Sequence, residues 1–122
     1  MWVATADAYL VPLSLAWCEE RVVLALRAGS RTARNITATG TARLGAGHTR
    51  DVVMIDVELE RSVPVAASGP EAEAYAAQAD WDPRTAGEDY VYLMLRPTRI
   101  QAWRESNEIA GRLLMTGGAW LV

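Results

Sequence analysis

The chain has 122 residues, the size of one domain (1–122) that buries about two-thirds of its unfolded surface without covalent staples. A net charge of −3 and a pI near 5.1 argue against a general nucleic-acid surface, and no apolar run reaches the length of a membrane span. Cys18 is the single cysteine, so no intrachain disulfide framework is possible; with no basic-then-apolar start resembling a secretion signal, a cytoplasmic protein is expected.

Trp2 to Thr5 reads as a short strand, followed by a turn through Ala6-Asp7-Ala8. From Tyr9 to Trp17 the pattern alternates. Tyr9, Val11, Leu13, Leu15 and Trp17 form one bulky face, with Leu10, Pro12, Ser14 and Ala16 on the other. Proline cannot donate to a ladder, so Pro12 puts this strand at an edge or on a bulge. Cys18 beside Trp17 reads as a small buried hydrophobe. Cys18-Glu19-Glu20 is a tight reversal into a strand from Arg21 to Arg27.

A short helix is expected from about Arg31 to Thr39, with Ser30 as its N-cap and Gly40 as its stop. Strands follow at Thr41 to Leu44 and at Val52 to about Val65, the second with Val53, Ile55, Val57 and Leu59 inward. Ser68-Gly69-Pro70 opens a second helix through Ala79, with proline where a first helical position tolerates it. Tyr90 to Arg96 and Arg99 to Arg104 read as strands on either side of Pro97-Thr98. The tail runs from Leu113 to Met115, turns on Gly117-Gly118 and ends with Ala119 to Val122. Many strands with only two short helices suit a mainly β, barrel-like antiparallel fold rather than a parallel α/β sheet.

The segment Arg27-Ala28-Gly29-Ser30-Arg31-Thr32-Ala33-Arg34-Asn35 carries the chemistry. A helix N-terminus has partial positive charge and favours acidic residues, yet Arg31 and Arg34 occupy the first turn and Arg27 precedes it. Two readings stay open from the residues alone. The arginines point into solvent, or they surround a bound anion such as a phosphate.

Other constellations fail. His48 is the only histidine, too few for a metal site or a convincing triad, and no metal is expected. No GxGxxG or P-loop pattern occurs. Asp80 and Asp82 flank Trp81 as turn formers before Pro83, and Arg50-Asp51 reads as a local ion pair. No acid, base or nucleophile stands out as catalytic, so an enzyme of this sequence needs a cofactor to carry the chemistry.

Three runs, Trp2 to Asp7, Val11 to Trp17 and Ser30 to Ile36, resemble the pyridoxamine 5'-phosphate oxidase-like family of flavin and deazaflavin split barrels. Thr49 to Val53, Trp81 to Arg84 and Leu95 to Arg104 continue that resemblance over nearly the whole chain. It implies a six-stranded antiparallel split barrel of Greek-key type, a homodimer with cofactor sites along its interface, and a small-molecule substrate. The cofactor implied is FMN, or alternatively the deazaflavin coenzyme F-420. By the resemblance, Ser30, Arg31, Thr32, Arg34 and Asn35 hold the phosphate, with Arg27 just upstream as a further cofactor-binding candidate, while Ser14, Ala16 and Ala25 floor the ring. Trp103 and Arg104 reach over from the partner. Two departures stand out: Thr32 falls where many relatives carry lysine or arginine, and the stretch between Ala8 and Tyr9 is shorter than theirs. The residues specific to pyridoxamine phosphate oxidation are not recognisable in the tail. The function expected is an FMN-dependent oxidoreductase, against a non-catalytic flavin-binding module.

Overall fold

The computed structural model describes residues 1–67 and 69–122; Ser68, read as part of the second helix's opening, lies outside them. It is mainly β, with strands β1 (Trp2–Thr5), β2 (Tyr9–Pro12), β3 (Ala16–Cys18), β4 (Arg21–Arg27), β5 (Thr41–His48), β6 (Asp51–Pro64), β7 (Tyr90–Trp103), β8 (Leu113–Thr116) and β9 (Ala119–Trp120). Helix α1 covers Arg31–Thr39 and helix α2 covers Pro70–Ala79. The hydrogen-bonded order is β2-β1-β5-β6-β7-β4-β3, with β8 added to β7 and β9 to β8. Every pairing is antiparallel. The sheet does not close on itself.

Among the described residues the sheet has nine strands rather than six, and the differences have local causes. The run from Tyr9 to Trp17 breaks after Pro12, which has no N–H to extend the β1 ladder. The chain crosses at 13–15 and re-enters as β3 on the opposite edge, and its alternation changes phase there. Ala16 is therefore fully buried while Trp17 is 37% exposed, the reverse of the sequence expectation. β2 is an edge strand, as Pro12 requires. β5 continues past Leu44 through Gly45 and Gly47, residues that sequence propensity penalises but β6 pairs directly. Pro97 and Thr98 do not interrupt β7. A register shift pairs Asp56 with Arg99 and Val57 with Pro97, leaving Thr98 as the extra residue of a bulge. Its hydroxyl donates to the Asp56 carbonyl at 3.2 Å.

Two cores result. Val3, Val22, Leu24, Ile36, Leu44, Val57, Leu93 and Leu95 fill the barrel, with α1 entering through Ile36 and Ala33. Val23 and Ala25 point to the other face of β4, where they join Ala16, Tyr92 and Met94 beneath Ala72 and Tyr75 of α2. The uninterrupted apolar run Val22 to Leu26 has this cause: β4 is buried on both sides. Gln78 of α2 secures the cover, because its amide accepts from the Trp17 N–H and donates to the Trp17 carbonyl, both at 2.8 Å. The side chain thus occupies the free edge of β3.

Candidate cofactor-binding site

The start of α1 is built as the residue pattern demands. Ser30 is extended (φ −65°, ψ 153°). Its hydroxyl accepts from the Ala33 N–H at 3.2 Å, and the Ser30 N–H donates to the Arg27 carbonyl at 3.0 Å. Gly40, at φ 75°, ends the helix in the left-handed region that favours glycine. No acidic residue occupies the first turn.

Three arginines lie close to this cap in sequence, and their contacts differ. Arg27 lies at 5.8 Å from the Tyr90 ring and 3.7 Å from Asp89. Tyr90 first, then Asp89, hold its guanidinium above the ordinary value, so it stays charged. Arg31 lies over the Tyr9 ring at 4.4 Å. Arg34 is exposed. Neither Arg31 nor Arg34 has an ion-pair partner among the described residues. Cationic donors at the positive end of a helix form a chemically suitable setting for an anion.

Several residues assigned to this site by sequence are placed elsewhere. Thr32 is 4% exposed and faces inward with Ala33 and Ile36, because positions two, three and six of α1 share its buried stripe. Asn35 is engaged structurally: its amide donates to the Thr5 hydroxyl at 3.0 Å and the Ala6 carbonyl at 3.3 Å. Ala16 and Ala25 are buried beneath α2. Ser14 is exposed on the crossing between β2 and β3.

Trp103 and Arg104 lie at the far end of β7. Tyr90, opposite Arg27, begins that strand, and Trp103, opposite Val52, ends it. At roughly 3.3 Å per residue this is about 40 Å of strand. Arg112 lies 5.9 Å from the Trp103 ring, and Arg104 pairs with Glu108 at 2.7 Å. These two residues lie far from the start of α1 within the chain.

The sequence reading missed Tyr9 and Tyr90 as neighbours of the arginines. Nothing in local spacing places Tyr9 beside Arg31, which is 22 positions away. Two cavities elsewhere, of about 540 Å³ between β1, β5 and β6 and about 290 Å³ by Trp2, Leu10 and Met54, contain none of the expected site residues. Among the described residues no helix is long and apolar enough to cross a membrane.

No protein-family model and no curated protein matches the sequence. Solved structures do share the fold. An F420 reductase aligns at 20% identity and a TM-score of 0.64, covering 81% of this chain and 86% of its own. A heme-binding protein from Mycobacterium smegmatis aligns at 18% identity and a TM-score of 0.61, covering 96% of this chain and 52% of its own. PhzG from Burkholderia lata, solved with tetrahydrophenazine-1-carboxylic acid, aligns at 18% identity and a TM-score of 0.51, covering 88% of this chain and 69% of its own. The chain therefore shares the fold of these structures, a mainly β, antiparallel split barrel.

Proposed function

We propose that this chain is a flavin-binding split-barrel protein, with FMN as cofactor, and acts as an oxidoreductase on a small molecule. The observation that carries the reading is the α1 cap, where Arg31 and Arg34 flank a Ser30-capped helix start without acidic partners. The donor set fits a phosphate: Arg27, Arg31, Arg34 and the first-turn N–H groups of α1 would hold it by charge-assisted hydrogen bonds. The flavin ring would supply electron transfer, since the chain presents no evident nucleophile or acid–base pair of its own.

This reading also needs a second protomer. Ala16 and Ala25 lie under α2, and Trp103 and Arg104 stand at the distant end of β7, so one chain cannot cover the ring. Exposed Trp2 (54%) and Leu10 (56%) add apolar surface that a homodimer would bury. The deazaflavin coenzyme F-420, the alternative that the resemblance implies and that the name of one fold neighbour matches, is the second reading, and the same donors would meet its phosphate group.

The test is spectroscopic. Purified protein reconstituted with FMN or F-420 should show a bound chromophore that NADPH or a chemical reductant bleaches and a small-molecule acceptor restores. Light scattering should return twice 13.3 kDa. A bound chromophore without any turnover would support a non-catalytic flavin module, and no binding would remove the proposal.

A further inference from the structure

Arg31 is the cradle residue with the most constrained setting. Its guanidinium lies over the face of Tyr9 at 4.4 Å, close enough for a cation–π contact. Such a contact uses the plane of the guanidinium and leaves its in-plane N–H donors free. No hydrogen bond or ion pair occupies those donors among the described residues. A guanidinium held over a ring at this distance, with no hydrogen bond or ion pair on its donors among the described residues, is preorganised to offer them to a tetrahedral anion.

Tyr9 is itself delivered by an unusual turn. The three-residue connection Ala6–Ala8 between β1 and β2 places two non-glycine residues in the left-handed region, Asp7 at φ 61° and Ala8 at φ 56°. Such residues persist where surrounding structure over-determines them. Here α1 does so: the Asn35 amide grips Thr5 and Ala6, immediately before the strained pair. The helix that carries Arg31 thus also ties down the turn that presents Tyr9 to it.

We propose that Tyr9 is a positioning residue for anion binding, acting through Arg31, and that the Asn35-tethered turn serves to place it. The inference rests on the phosphate reading above and names the residue that orients one of its ligands. Losing the ring would free a rotamer-rich side chain that binding must then immobilise. With the cation–π contact, that corresponds to about a two- to tenfold loss in affinity for a phosphate-bearing ligand.

The experiment titrates FMN and riboflavin, which lacks the phosphate, against wild type, Tyr9→Phe, Tyr9→Leu and Tyr9→Met. Phe keeps the ring and should retain the wild-type preference for FMN. Leu and Met should lower FMN affinity by about two- to tenfold and leave riboflavin unchanged. In an Arg31→Ala background, Tyr9→Leu should have no further effect. Thermal midpoints identify any variant that has lost its fold, and either Leu or Met alone suffices for the comparison. If wild type prefers FMN but Leu and Met keep that preference, or weaken both ligands alike, the role of Tyr9 is overturned and the phosphate reading stands. If wild type shows no preference for FMN, the phosphate reading itself fails and takes the inference with it.

Discussion

Arg34→Ala should do two opposite things. Arg27 is shared with Tyr90 and Asp89, and Arg31 with Tyr9, so Arg34 is the cradle arginine without such a partner among the described residues. A charge-assisted hydrogen bond contributes about 1.5–3 kcal/mol, so its loss should weaken FMN roughly ten- to a hundredfold. Without ligand the same residue is unfavourable. A cation in the first turn costs about 0.3–1 kcal/mol against the helix dipole, and alanine is also the better helix former. In a domain of this size, removing it should raise the ligand-free thermal midpoint by about 1–4 °C. Tryptophan-fluorescence titration reads the first effect and a thermal melt without ligand reads the second; high salt should shrink both. Arg34→Lys should retain most of the binding. Unchanged FMN affinity, or a ligand-free midpoint that falls, would show that Arg34 is an ordinary solvated side chain and refute the reasoning.

Two further outcomes test the frame around the site. Gln78→Ala removes both hydrogen bonds to Trp17 at the β3 edge and should cost about 1–2 kcal/mol in urea unfolding, with α2 becoming the first segment cleaved in limited proteolysis; wild-type stability and cleavage order would contradict the clasp. Arg21 holds the Glu60 carboxyl below its ordinary value through a side-chain hydrogen bond. That contribution is present above the unfolded-state value and lost as pH falls through the lower folded value, so the small gap between wild type and Glu60→Gln, under about 1 kcal/mol at neutral pH, should close below about pH 4. A gap that persists at pH 3 would point to packing instead.

Both α-helices are readable because their signals are local. Ser30 and Gly40 bound α1, and Pro70 starts α2 at the first helical position. The strands that propensity truncates or splits are those in which partner pairing overrides it. Gly45 and Gly47 belong to β5 because β6 supplies the ladder, and Pro97 survives in β7 because a bulge absorbs it. The arginines around Ser30 are legible as a charge anomaly at a helix start. Which neighbours face inward is a tertiary matter, and there spacing gives no guide. Thr32 turns into the barrel, Asn35 turns to the β1–β2 connection, and Ala16 and Ala25 vanish under a helix some fifty residues later in the chain. The apolar run Val22 to Leu26 carried that last fact, since five successive apolar residues leave β4 no solvent face.

The central claim is that the start of α1 is a phosphate site, and one paired titration tests it most directly. FMN and riboflavin share the same ring and differ by the phosphate, so their affinities for wild-type protein under identical salt and pH isolate the cradle's contribution. The account predicts FMN at least about tenfold tighter than riboflavin, with the difference shrinking as ionic strength rises. Equal affinities, or no binding of either, would contradict it.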